Sequence, residues 1–490
     1  MIQLHGWTMI VLTRAGLTMQ TSVPSLSALD PGSSEPIYRQ LYWRFREAIN
    51  AGLLKPGDRV PAARALAKEL GLARGTIDNA YSLLTSEGYL VACGQAGTRV
   101  ADGISGTSSS PPTSAVAQAA PHQAIRQQSA VLPFQMGVPA LDAFPRKIWA
   151  QIGARCVRGT QPQDMANPSV YGLQALRAAI ATYLQVARGI ACSPAQVFVT
   201  AGYRETLSLI THTLLKPADR VLVEDPGYPP TRRLLQSLHI TPVAVPVDQD
   251  GLRVSTALEI GHNARAAIVT PAHQSPLCVS LSLPRRLALL EWASQQNAWI
   301  VEDDYDGEYR YVSRPLPALK SLDREGRVLY SGTFSKVLFP GMRLAYVVVP
   351  AALVERFEES CKTFQGGCPE LNQAIVATFM AEGHFGRHIQ RMRKLYSERR
   401  AMAVNGLNSV LGERIHIDAN PGGMHLILRL NASCADSLMV QRMREAGLFA
   451  EALSEWHQGA DKPSGLLLGF ANIDSLASAQ ALGQRILALM

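Results

Sequence analysis

At 490 residues the chain is too long for one ordinary hydrophobic core, so two or three domains are expected. Its 47% hydrophobic and 18% charged residues are those of a globular protein, and a net charge of +8 favours an anionic partner. Seven cysteines without paired CxxC spacing imply neither a disulfide framework nor a zinc site or other metal, and neither a signal-peptide pattern nor an 18-residue apolar span is present. A protein of a reducing cytoplasm with no membrane partner is the expectation.

Residues 1–35, with Met9 and Met19 as alternative starts, are expected to form a poorly ordered N-terminus. From Ile37, apolar residues recur at helical spacing through Leu41, Phe45, Ala48 and Ile49 until Gly52 and the run Lys55-Pro-Gly-Asp58 stop the helix. Val60-Pro61 announces a second helix over 62–70, closed by Gly71, a residue suited to a left-handed cap. A third, over 72–87, turns Ile77, Ala80, Tyr81, Leu83 and Leu84 inward and leaves Arg74, Thr76 and Asn79 outward. Two short strands, 89–91 and 98–100, then flank a turn carrying Gly94 and Gly97. Three helices and a hairpin over 36–101 make a winged helix-turn-helix, whose third helix enters the major groove of double-stranded DNA while the wing touches the backbone. Residues 102–131 are rich in Ser, Ala, Pro, Gln and Gly, cannot bury enough surface to offset their ordering entropy, and read as a flexible linker.

Over 132–490, short β-rich runs (197–200, 220–225, 266–271, 298–304, 328–332 and 343–350) alternate with helical segments, which predicts a mostly parallel α/β sheet. Ligands of such sheets collect at the C-terminal strand ends. There the chain places Gly202, Tyr228 in Asp-Pro-Gly-Tyr, Ser275 in His-Gln-Ser, Asp303 with Tyr305, and Lys336. Singly, each has an ordinary explanation as a turn, a solvated acidic loop or a structural tyrosine; their recurrence at successive strand ends makes coincidence a poor account. Lys336 stands in a small-residue loop between two strands, where a lysine suits either Schiff-base formation or phosphate neutralisation, and Arg343 can fill the second role. Together these groups suit a phosphorylated aromatic aldehyde. Lys336 forms the imine, Asp303 pairs with the protonated ring nitrogen, Tyr228 stacks and Tyr305 bonds the ring oxygen. The helix opening at Gly202, Tyr203 and Arg204 holds the phosphate, aided by Thr333 and Arg343.

The run KPGDRVPAARALAKELGLARGTIDNAYSLLTSEGYL resembles the DNA-binding domain of the GntR family of bacterial regulators. That resemblance implies DNA contacts at Arg64, at Arg74 and Thr76, and in the wing from Gly94 to Gly97, with Asn79 and Asp78 departing from relatives that carry Arg in the third helix. The runs VEDPGYP, VEDDYDGEYRY, YSGTFSKVLFPGMRLAY, EGHFGRHIQRMRKLYSERR and LLLGFAN resemble fold-type I pyridoxal-phosphate aminotransferases. The whole is similar to the MocR/GabR class of transcriptional regulators. The class implies pyridoxal 5'-phosphate (PLP) as cofactor, Lys336 as its Schiff-base lysine, Asp303, Tyr305, Tyr228 and Arg343 as its partners, and a head-to-tail homodimer with exchanged domains.

Three departures bear on activity. Ser275-Pro-Leu-Cys278 replaces Asn-Pro-x-Gly, Asn167 stands where relatives often place a tyrosine, and Leu467 stands where aminotransferases carry the arginine that binds an amino-acid carboxylate. The favoured expectation is therefore a PLP-dependent transcription regulator that senses PLP or an amino compound through an aldimine at Lys336. The alternative is an active aminotransferase with an accessory DNA-binding module.

Overall fold

The computed structural model describes residues 29–30, 32–33, 35–102, 131–311, 317–419, 422–430, 435–459 and 462–490. The expected linker lies almost wholly outside them, as does most of the N-terminus. The chain divides into two compact units, residues 1–123 and 124–490.

In the first unit α1 (Ile37–Asn50), α2 (Ala63–Leu70) and α3 (Arg74–Ser86) precede the antiparallel strands β1 (Leu90–Ala92) and β2 (Thr98–Val100). Gly71, at φ 66°, ends α2 in a left-handed cap, so α3 begins only three residues later. Leu41, Phe45, Leu66, Ile77, Ala80 and Leu84 are buried in one core. Each buried large side chain contributes about 1.5–3 kcal/mol. Two expectations change. Leu83 is 36% exposed, because at about 100° per residue it falls well off the stripe through 77, 80, 81 and 84. Thr76, expected to face outward, is half-covered, one turn before the buried Ala80.

The second unit opens with α4 (Arg146–Gly159) and α5 (Gln174–Arg188). An alternating stretch follows: β3 (Val197–Thr200), α6 (Tyr203–Leu214), β4 (Arg220–Asp225), α7 (Pro229–Ser237), β5 (Thr241–Asp248), β6 (Gly251–Leu252), α8 (Val254–Ile260), β7 (Ala264–Val269), α9 (Leu283–Gln295), β8 (Trp299–Asp304), β9 (Val328–Thr333) and β10 (Ala345–Val348). These strands form one sheet in the order β3-β10-β9-β8-β7-β4-β5-β6. Neighbours from β9 to β5 run parallel, whereas β10 is antiparallel to both β9 and β3. Central strands are buried on both faces: Val197 and Val199 join one core cluster, and Phe198, between them, joins another.

The strand expected to begin at Arg343 starts at Ala345; Arg343 itself closes a short turn at φ 52°, in the left-handed region. The chain continues through α10 (Val354–Phe364), α11 (Glu370–Ala381) and α12 (His384–Leu411) into a smaller sheet. Its strands are β11 (Ile415–Ile417), β12 (His425–Leu430), β13 (Glu451–Ala452) and β14 (Leu466–Gly469), with α13 (Asp436–Glu445) and α14 (Leu476–Leu487) beside them. The order β11-β12-β14-β13 is antiparallel throughout.

Candidate functional site

The parallel strands deliver their following residues to one edge of the large sheet. Lys336 follows β9, Tyr305 follows β8, Ser275 follows β7, Tyr228 follows β4 and Gly202 follows β3. Because β10 runs the other way, the residue preceding it, Arg343, arrives at that same edge. Sequence-distant groups are thereby brought into one place.

Gly202, at φ 128°, opens α6, and a Cβ built on it would lie 3.1 Å from Arg343 Nη2. A side chain there would displace the guanidinium. The Ala201 amide donates to Glu205 Oε2 at 2.5 Å, while the amides of Gly202, Tyr203 and Arg204 donate to no acceptor among the described residues. Free amides at a helix start beside an exposed guanidinium would suit an anion. Thr333 accepts the Ser335 amide at 3.2 Å and so holds the loop that carries Lys336.

Next to it, Tyr203, Tyr228, Thr231, Ser275, Asp303 and Gln458 line a cleft of about 440 Å³ counted to its open mouth. Tyr228 packs against Tyr203 and Trp456, with ring centroids 6.1 and 5.7 Å away. It remains 43% exposed, leaving aromatic surface for a further ring.

The acidic run within and just after β8 resolves into specific partnerships. Glu302 accepts the Leu319 and Lys320 amides at 2.8 Å, Asp304 meets the buried Arg188 at 2.8 Å, and Asp306 accepts from His273 Nδ1 at 2.9 Å. Glu308 accepts the Tyr183 hydroxyl at 2.9 Å. Asp303 alone of the five has no hydrogen bond or ion pair among the described residues. Burial pushes its carboxyl well above the usual range, and Asp304, Glu224 and Asp306 push it further, against the pull of Lys336. A ring N–H⁺ would relieve that carboxylate.

Lys336 Nζ donates to the Gly137 carbonyl at 3.0 Å. Gly137 has φ 73°, and any side chain on it would run into the lysine nitrogen. Burial lowers the Lys336 pKa, opposed by Asp306, Asp303 and Glu451, which enlarges the neutral, nucleophilic fraction. The Tyr305 hydroxyl lies 3.2 Å from His273 Nδ1, and burial pushes its pKa well up. Burial alone would also deprotonate His273; Asp306 outweighs it and holds the imidazolium.

In the first unit Arg64 and Arg74 are exposed, and Arg74 pairs with Asp78 across one helical turn at 3.3 Å. Gly94 and Gly97 adopt φ 55° and 85° in the wing turn. Residues 36–101 hold nine Lys and Arg against five Asp and Glu, the excess needed to approach phosphates.

Comparison with known proteins agrees with both halves. Residues 37–100 match the bacterial regulatory proteins of the gntR family, and residues 129–458 match aminotransferase class I and II. The probable rhizopine catabolism regulatory protein MocR of Rhizobium meliloti is 35% identical over 91% of this chain and 92% of its own length. The pyridoxine biosynthesis regulator PdxR of Corynebacterium glutamicum is 34% identical over 91% and 94%. This chain belongs to the MocR-type regulators. Its second unit also resembles the crystal structure of Pyrococcus horikoshii kynurenine aminotransferase in complex with PMP, with a TM-score of 0.66, 25% identity and coverage of 74% and 93%.

PLP is the cofactor that this family's aminotransferase-like unit takes, and the residues fit it. The Gly202–Arg343 cradle would hold its phosphate, Tyr228 its ring face, Asp303 its ring nitrogen and Tyr305 its ring oxygen, while its aldehyde supplies the electrophile for the Lys336 amine.

Arg429, on the neighbouring strand β12, is bound to Asp418 at 3.0 Å. Leu467 is fully buried among Ile427, Leu453 and Trp456. Sequence reading missed Gly137, Asp306, Glu451 and Trp456. Asp306 alone carried a signal, standing three residues after Asp303 in the same acidic run.

Proposed function

We propose that this protein is a DNA-binding transcription regulator whose PLP site senses PLP itself or an amino compound through Lys336. The observation that carries the reading is Leu467, a buried apolar side chain where an aminotransferase needs a guanidinium for its substrate's carboxylate. Binding of an amine at Lys336 is thus supported better than turnover of an amino acid. The DNA-reading residues are Arg64, Arg74, Thr76 and the wing from Gly94 to Gly97, and residues 102–131 tether the two functions. A domain-swapped, head-to-tail homodimer acting on operator DNA in the cytoplasm completes the proposal. An amine regulates it only by binding two arrangements of that dimer unequally.

The test loads purified protein with PLP and titrates amines while following cofactor absorbance and binding to DNA upstream of its own gene. Ligand-dependent DNA affinity is the expected result. Affinity unchanged by PLP and by every amine removes the sensing role, and multiple turnover with an amino donor and a keto acid makes the protein an enzyme.

A further inference from the structure

The Tyr305 hydroxyl and Asp306 Oδ1 meet at one atom, His273 Nδ1, at 3.2 and 2.9 Å. Which atoms donate there decides where the phenol's proton points. A carboxylate only accepts, so Nδ1 carries its hydrogen toward Asp306, the shorter and charged contact of the two. A ring nitrogen that carries a hydrogen cannot also accept one. Tyr305 therefore receives a share of the His273 N–H, and its own O–H is left to point away from the imidazole. Ser275, beside the phenol, lowers the Tyr305 pKa, as a donor to that oxygen does. It leaves the O–H equally free.

The surroundings hold this arrangement in place. Asp306 and His273 are both buried, and Gly423, at φ 82°, gives the imidazole room that any side chain on it would take from the ring. Tyr311 is committed to the Gly423 carbonyl and does not compete for Asp306. Beyond the imidazole stand Cys278, which favours its cation less than Asp306 does, and His425, which lies 2.9 Å from the Pro276 carbonyl. The charged groups around Lys336 are Asp306, Asp303 and Glu451, and those around Tyr305 are Asp306, Cys278 and Asp303. Of all these, His273 and Asp306 alone are joined through one nitrogen to the phenol.

Resting on the PLP-site reading above, we infer that Asp306 and His273 are positioning residues: together they keep the Tyr305 O–H directed at the cofactor's ring oxygen, and so set the pH at which the nitrogen joining Lys336 to PLP loses its proton. A donor on the ring oxygen draws off negative charge that would otherwise stabilise the neighbouring cationic nitrogen, so that proton leaves at lower pH. Without the carboxylate, Nδ1 is free to accept. The phenol's proton then turns to His273, and the nitrogen keeps its own to higher pH.

A pH titration of the visible band of full-length, PLP-loaded protein tests this, with PLP affinity measured alongside by dialysis. Tyr305→Phe is expected to raise the midpoint by about one pH unit, and Asp306→Asn to raise it by a similar amount. In the Tyr305→Phe background, Asp306→Asn should add no further shift. Altered charge alone cannot give that pattern, because the lost carboxylate and imidazolium would act equally in either background. An Asp306→Asn midpoint that is unchanged or lower, or a shift that persists without the Tyr305 hydroxyl, overturns the inference. If Asp306→Asn does not fold, Tyr305→Phe, which keeps the ring, decides by itself: a raised midpoint supports the inference and any other overturns it. Wild-type protein that forms no visible band with PLP removes the cofactor-site reading and this inference together, whereas a normal band with the wrong shifts removes the inference alone.

Discussion

The winged helix and the cofactor site solve opposite problems. In the first unit the groups proposed to meet DNA lie close together within residues 64–97, with Arg64, Arg74 and Gly94 exposed, and rest on a core made by their own helices. In the second, Gly137, Gly202, Asp303, Lys336 and Glu451 come from segments up to hundreds of residues apart, and burial raises the Asp303 pKa and lowers that of Lys336. A polyanion as large as DNA is met by charge displayed on a surface, whereas holding a small aldehyde and activating a lysine requires a dry, enclosed place. Stability and function should therefore separate in the first unit and be entangled in the second.

The largest expected effect tests the buried site. Lys336→Ala should abolish the visible absorbance of covalently held PLP completely, and a persisting band would move the Schiff base to another lysine. Leu66→Ala strikes the core of the first unit and should cost about 2–5 kcal/mol of that unit's stability. Urea unfolding followed by DNA binding and by cofactor fluorescence should show the first midpoint falling while the second stays. Coincident shifts would mean that the two units unfold as one.

His388 sharpens the comparison by pH. It is buried, its Nε2 meets the Val337 carbonyl at 2.9 Å next to Lys336, and burial pushes its pKa down to about 4. Its ordinary value is about 6.5, so the unfolded chain takes up a proton first as pH falls. The stability present above about pH 6.5 is lost between there and about pH 4, by roughly 3 kcal/mol. His388→Gln, which keeps a donor for Val337, should flatten that part of the profile; an unchanged acid slope would place the protonation elsewhere. The smallest effect belongs to the exposed surface. Arg74→Ala should weaken DNA binding about tenfold and reduce its salt dependence by about one counterion, leaving thermal unfolding unchanged.

Much of this was legible in local pattern. The helical spacing of Leu41, Phe45 and Ile49, the glycine that ends α2, and the apolar runs of the central strands each follow from a few neighbouring residues. So does the presence of Lys336, Asp303, Tyr305 and Tyr228 at strand ends. The sequence by itself thus determined which elements form and which side chains hold chemical potential, because helix and strand periods and turn preferences act over short stretches. Strand order is a different matter. Only the folded sheet put antiparallel β10 between β3 and β9 and so carried Arg343 onto Gly202. Only the fold left Asp303 without a side-chain partner among the described residues, set Gly137 against the lysine, and placed Glu451 opposite Leu467. Those contacts join segments far apart along the chain, and their energies come from desolvation and close approach, which no local pattern records.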